Sequence, residues 1–420
     1  MKKVIGMLAL VALVGNIANA ELLKNFKYDG KITINAATTN NELDANSDAK
    51  DNTSGVDPRV ELNASFDLAA DVEAMVSAVK CTRQYGDGSE TVAAGTADGF
   101  AMEQAYLDLK GVLGFDHKVG RQYYGNEGDL IVYYGPRNMP YAFGGVSNGL
   151  GVTGLDGYTG WYNTGKWSIH GLLGKVTNAA AVQPDTDTNL SGVGAKYDLM
   201  EQVKLAAYVY EQKTNVAASA DLTLDVVGVK ANGNFMGFDY SAELAKNYGR
   251  KAVGVTYTGT GFKANLAYNG LELAGKLHLM GEFVMGSGDK TSASKDEGFT
   301  AIVSDYRPGI VFGGVSGMTG INNLTAFNVG ANWMPTAAEK LTVGAKAYMF
   351  GTTETVGAAP NDYDAYGNEF DVTANWQHNE NVGLLAYYGA FMVDSDYSDA
   401  VLGGKDDMIS TLGLALNVKF

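Results

Sequence analysis

Alternation of apolar and polar positions recurs from one end of this chain to the other. In the last residues Leu412, Leu414, Leu416, Val418 and Phe420 are apolar, while Thr411, Gly413, Ala415, Asn417 and Lys419 are polar or small. Successive side chains of a strand point to opposite faces, so one face of such a segment is oily and the other can be wetted. Val60, Leu62, Ala64 and Phe66 alternate with Arg59, Glu61, Asn63 and Ser65, and the pattern returns through Val72, Ala74, Val76 and Ala78 after a short turn. Ala105, Leu107 and Leu109 oppose Tyr106, Asp108 and Lys110 in the same way. Further along, Val203, Leu205, Ala207 and Val209 oppose Lys204 and Tyr208, and Leu277, Leu279, Phe283 and Met285 oppose Lys276, His278 and Glu282.

Two later hairpins echo each other: Phe327 to Trp333 and Phe370 to Trp376 both end in Ala-Asn-Trp beside a turn, where an aromatic at a membrane interface belongs. The stretch from Phe299 to Asn323 carries the weakest strand signal. Segments of this kind number roughly 16 to 21, and closing a single-chain bacterial barrel needs an even count. The pattern predicts an all-β, antiparallel transmembrane β-barrel, expected at 18 strands with 16 as the alternative. Closure leaves no strand edge exposed to lipid, and it seats residues 408–420 against the first strand near Tyr28 to Asn35.

The N-terminus adds a destination. Lys2 and Lys3 precede an apolar run from Val4 to Val14, and Ala18-Asn19-Ala20 supplies small residues for cleavage, so residues 1–20 are expected to be a signal peptide and 21–420 the barrel. Glu21, not cysteine, follows that site, which argues against a lipid anchor. Beyond the leader no uninterrupted apolar stretch reaches the length of a membrane-spanning helix. A single cysteine, Cys81, excludes an internal disulfide. Thirty-one Lys+Arg against 47 Asp+Glu give a net charge of −16, which argues against nucleic acid as a partner. Glycine at 54 residues, tyrosine at 24 and proline at only 7 suit a sheet with tight turns.

The final strand, with Phe420 as its last residue, resembles the closing strand of bacterial outer-membrane barrels, in which a terminal aromatic is part of the signal read by the assembly machinery. Glu103 to Leu109, then Lys118-Val119-Gly120-Arg121-Gln122, then Tyr124 to Leu130 resemble the alginate-export porin family. That resemblance implies an outer-membrane barrel of 18 strands, and the expectation of 18 over 16 rests partly on it. It also implies a lumen lined by arginine and lysine where the solute is a uronate polymer. Here the chain departs from the family: it has six arginines, and its expected inward lysines Lys196, Lys204, Lys263, Lys346 and Lys419 are matched by Glu61, Asp108, Asp239, Glu243, Glu282 and Asp371.

The expected function is therefore a porin-type channel for passive diffusion of small hydrophilic solutes. An exporter or selective channel for an anionic polysaccharide such as alginate, and a structural major surface protein, are the alternatives. Arg59, Glu61, Asp108, Arg121, Lys196, Lys204, Glu243, Lys263, Glu282, Lys346, Asp371 and Lys419 are the expected pore-lining residues. For Arg121, alternation leaves the wet face open; the resemblance favours the lumen, and a structural ion pair is the competing reading. The Gly-, Pro- and Tyr-rich run at about 125–150 is expected to fold inward, with Tyr134, Arg137 and Tyr141 at a constriction. Phe420 is the expected assembly signal. Expected partners are outer-membrane lipid and lipopolysaccharide, the barrel assembly machinery and small solutes, with an oligomer as one option.

No motif points to catalysis, a cofactor or a metal. His117, His170, His278 and His378 lie far apart without metal-ligand spacing, and no serine sits in a nucleophile elbow. The acidic runs around Asp44, Asp48 and Asp51, around Asp394, Asp396 and Asp399, and around Asp362, Asp364 and Glu369 lack the calcium-loop pattern and read as solvated outer loops.

Overall fold

In lipid every backbone N–H and C=O must find a partner within the protein, so strands with an oily face are stable only when the sheet has no edge. The computed structural model describes residues 24–41, 45–49, 52–81, 100–136, 154–177, 186–216, 220–290, 292–316, 318, 320–358 and 361–420. The barrel strands are β1 (Lys24–Asn40), β2 (Thr53–Ala69), β3 (Val72–Cys81), β4 (Ala101–Val112), β5 (Phe115–Gln122), β6 (Leu155–Thr164), β7 (Trp167–Thr177), β8 (Thr188–Met200) and β9 (Val203–Thr214). They continue as β10 (Leu222–Phe235), β11 (Phe238–Tyr248), β12 (Thr260–Glu272), β13 (Gly275–Gly286), β14 (Leu324–Pro335), β15 (Leu341–Val356), β16 (Tyr363–Gln377), β17 (Val382–Val393) and β18 (Ile409–Lys419). Together they form one 18-stranded sheet in which each strand pairs antiparallel with its neighbours in sequence.

The seam closes where the alternation places it. β18 runs against β1 from Lys31↔Lys419 to Asn40↔Ser410. Gly30 and Phe420 exchange both backbone hydrogen bonds, at 2.9 and 3.0 Å. The Phe420 ring occupies the space beside Gly30, 2.5 Å from where a Cβ there would sit, so a side chain at residue 30 would push the ring aside. On β18 Leu412 and Leu414 are more than half exposed on the outer face, whereas Thr411 and Ala415 on the inner face are buried.

One end of the barrel carries the short turns and both strand termini; the other carries the long connections. Leu113-Gly114 and Met236-Gly237 both have positive φ at each central residue, the mirror-image turn whose twist matches that of the flanking strands. Outward aromatics gather beside these short turns: Trp167 with Tyr197 (ring centroids 4.5 Å), Phe238 with Tyr268 (4.6 Å) and Phe115 with Tyr162 (5.2 Å). Trp333 and Trp376 lie at the same end, and Trp333 Nε1 donates to the Leu273 carbonyl at 2.9 Å. An aromatic with an apolar body and a polar tip suits the boundary between hydrocarbon and headgroups.

The buried apolar residues lie inside the barrel. Leu130, Ile131 and Val132 from the connection between β5 and β6 pack there with Phe299, Val311, Phe312 and Ile321 from the connection between β13 and β14. Residues 299–316 thus form no stave: they enter the lumen and include a π-helical turn, Gly309–Val315.

Candidate functional site

The lumen is narrowed by two inward segments that pair with each other. The first, residues 124–136, doubles back on itself through a bridge between Tyr124 and Tyr134. Gly125 makes this reversal feasible: its φ is +83°, and a Cβ there would lie 2.3 Å from the Val132 carbonyl oxygen. Asp129 tightens the turn by accepting from the Asn126 backbone N–H at 2.8 Å. The buried run Leu130 to Val132 then faces the second segment. Val303 accepts from the Tyr133 N–H at 2.9 Å and donates to the Ile131 carbonyl at 3.0 Å, while the Asp305 carboxylate accepts from the Gly128 N–H at 2.9 Å.

Each segment is fastened to the wall by different chemistry. Lys230 of β10 contacts Asp129 at 3.3 Å and Glu243 of β11 at 3.2 Å, and Lys263 of β12 donates to the Gly128 carbonyl at 3.4 Å. The Tyr124 hydroxyl meets that of Tyr210 on β9 at 2.9 Å. The second segment is held by acceptors on the wall. Tyr306 donates to Glu282 of β13 at 2.8 Å, with Lys263 Nζ 4.6 Å from the centre of its ring. Glu369 of β16 accepts from the backbone N–H groups of Val311 and Phe312, at 2.7 and 2.8 Å, and Asp371 accepts from that of Ile310 at 3.1 Å. Phe312 stacks on Phe350 of β15 at 4.0 Å. Burial raises the Tyr306 phenol well above its ordinary value and pushes Tyr134 up to about 12.

The cross-strand register assigns faces to the expected residues. Thr33↔Arg59 and Lys31↔Glu61 place Arg59 and Glu61 on the inner face, 3.4 Å apart. Asp108 lies opposite Lys118, whose Nζ sits 4.4 Å from the Tyr106 ring centre. Lys196 and Lys204 share the inner face with His170 and Tyr208. The inner ladder continues through Lys230↔Glu243, Glu243↔Lys263, Asn265↔Glu282 and Lys346↔Asp371. Lys419 lies on the inner face of β18 at the short-turn end, next to Asn417, which accepts from Thr33 at 2.9 Å.

Arg121 corrects the lumen expectation. It stands opposite Ala105, on the outward row that includes Leu107 and Val119, and its guanidinium forks onto Asp156 with two contacts of 2.7 Å. That fork makes it a structural ion pair on the outer face of the wall. Arg137 and Tyr141 lie outside the described residues. Tyr134 is in the first inward segment, with its hydroxyl buried.

Sequence reasoning passed over Lys118, Asp129, Lys230, Tyr306 and Glu369. Lys118 had a usable signal, since the register that puts Asp108 inside carries Lys118 with it. Glu369 was grouped with outer-loop acids, yet it is 1% exposed and inside the barrel. The histidines stand on separate elements: His117 on the outer face bonds Tyr158 at 2.6 Å, and His170 on the inner face lies 3.4 Å from the Tyr210 hydroxyl. Among the described residues no group of three or more His, Cys, Asp or Glu is placed to hold a metal.

Below the first segment lies a cavity of 760 Å³, lined by Trp161, His170, Lys196, Lys204, Tyr210 and Lys230 among others. A smaller one, of 270 Å³, sits between the segments and the wall, bordered by Glu127, Asp305, Arg307, Asn328, Lys346 and Tyr348. Cations and carboxylates thus alternate around the narrowed section, and Lys230, Lys263 and Arg307 lie within reach of an opposite charge.

The family model for alginate export matches residues 25–400. Among solved structures, Pseudomonas aeruginosa OccK9 (OpdG) is 13% identical with a TM-score of 0.61, covering 95% of this chain and 99% of that one. OccK11 (OpdR) from the same organism is 11% identical with a TM-score of 0.58, covering 95% and 98%. The P. aeruginosa outer membrane protein opdK is 11% identical with a TM-score of 0.59, covering 95% and 99%. At these identities the likeness is one of fold. No curated protein matches the sequence.

Proposed function

The chain belongs to the alginate-export family, and from that premise we propose that this outer-membrane barrel is a channel for passive diffusion of small hydrophilic solutes through a lumen of mixed charge. The observation that carries the reading is the pairing of lumen cations: Arg59 with Glu61, Lys230 with Asp129 and Glu243, and Lys263 with Glu282 at 3.5 Å. A lysine whose charge is answered by a carboxylate attracts a passing anion weakly, so these pairs favour modest selectivity over a polyanion tunnel. Arg59, Glu61, Asp108, Lys196, Lys204, Glu243, Lys263, Glu282, Lys346 and Lys419 form the wall that solutes pass; Asp371, expected with them, is on the inner face but covered by the second segment. The two inward segments set the bore.

The test is the reversal potential of the purified protein in a planar bilayer under a salt gradient. A small potential of either sign is expected. A strong preference for anions would favour the second reading, export of an anionic polysaccharide, which draws its support from Lys196 and Lys204: among the described residues neither lies within ion-pair distance of a carboxylate, and both line the 760 Å³ cavity. Absence of any pore current would leave a structural surface protein. The leader, residues 1–20, is proposed to be cleaved before Glu21. Phe420 is proposed to act in assembly through its place on the closing seam.

A further inference from the structure

The second inward segment is held by an arrangement that a simple structural contact does not need. Glu369 and Asp371 are adjacent inward positions of β16, 1% and 5% exposed, and their carboxyl groups converge on one stretch of the second segment's main chain. They accept three successive backbone N–H groups, from Ile310, Val311 and Phe312. Asp371 Oδ1 is buried and receives no donor from the protein. No lysine or arginine of the described residues lies within ion-pair distance of either carboxylate; the cross-strand neighbours on β15 are Lys346 opposite Asp371 and Tyr348 opposite Glu369. On the other side β17 offers only Gly389 and Phe391. From the segment itself the nearby charged or titratable groups are Asp305, Tyr306 and Arg307, with Arg307 3.8 Å from Asp305.

Two buried carboxylates bound to consecutive N–H groups cannot both be ionised without strong repulsion, and any hydrogen bond between them needs a proton. One proton supplies the missing donor at Asp371 Oδ1 and leaves one negative charge to receive the three N–H groups. Packing fixes this geometry tightly: Gly309 has φ +81°, and a Cβ there would lie 2.6 Å from Glu369 Oε2. We propose that Glu369 and Asp371 are positioning residues that share one proton and thereby latch residues 305–316 inside the lumen, so that loss of the shared proton releases the segment and widens the channel. The inference rests on the channel reading above.

Single-channel conductance of the full-length protein, followed as pH is raised from about 6 to about 10, tests it. Wild type should step up by about twofold as the segment leaves the bore. Asp371→Asn supplies a permanent donor to Glu369 and a permanent acceptor for Ile310, so it should stay at the low conductance throughout. Glu369→Ala should stay at the high conductance throughout. Should that variant fail to fold, the contrast between wild type and Asp371→Asn decides alone. Currents that do not change with pH in wild type, or an Asp371→Asn channel that follows wild type, overturn the latch and leave the channel reading standing. No current from wild type overturns both.

Discussion

The two inward segments reach the same lumen by opposite means. Residues 124–136 are tethered by cations of the wall reaching carbonyl and carboxylate oxygens, Lys230 to Asp129 and Lys263 to Gly128, at 3.3 and 3.4 Å. Residues 305–316 are tethered by carboxylates of the wall receiving backbone N–H groups at 2.7 to 3.1 Å, under a cover of stacked rings. Long lysine side chains can swing and resolvate, whereas a buried carboxylate bonded to the main chain has nowhere else to go. The comparison teaches that the first segment behaves as an adjustable wall of charge and the second as a docked element that is either in place or out.

Three substitutions would break or sharpen this contrast, from the largest effect to the smallest. Phe312→Ala removes the ring that stacks on Phe350; truncating a buried phenylalanine costs about 3–5 kcal/mol, enough to undock the second segment, and should appear as a raised and noisier single-channel conductance. Gly125→Ala forces a side chain into a positive-φ reversal and against the Val132 carbonyl. A cost of about 1–3 kcal/mol should lower the temperature at which the folded barrel loses its fast gel mobility. Lys230→Met leaves Asp129 and Glu243 without their shared cation. Because Lys230 is about one-third exposed, the stability change should be about 1 kcal/mol or less, while the reversal potential should move toward cation preference. Equal conductance changes from Phe312→Ala and Lys230→Met would erase the distinction between the segments.

The barrel itself was legible in the sequence, and the plug largely was not. Strands such as β2, β9 and β18 announce themselves because lipid outside and water inside demand opposite side chains at successive positions. Where the plug dries the inner wall, the alternation blurs. Val226 and Val227 are consecutive valines on β10, the first buried under the plug and the second facing lipid. Leu155, Leu172 and Leu190 are likewise inner-face leucines beneath it. The inward fold of the first segment showed in its glycines and tyrosines. That of the second did not, because Phe299 to Asn323 lacks any period that a wall would impose.

Alternation along the chain determined that there is a closed antiparallel barrel, that its last strand meets its first, and which side chains share a face within each strand. It could not determine which face is wet where both are mixed, and the register decided that for Arg121: Asp108 opposite Lys118 puts the arginine outside, beside Asp156. Nor could it bring Glu369 and Asp371 to the N–H groups of residues 310–312, some sixty positions earlier. A period is a local property of one strand. The lumen is made by strands and segments far apart in sequence, and only closure of the sheet sets them at contact distance.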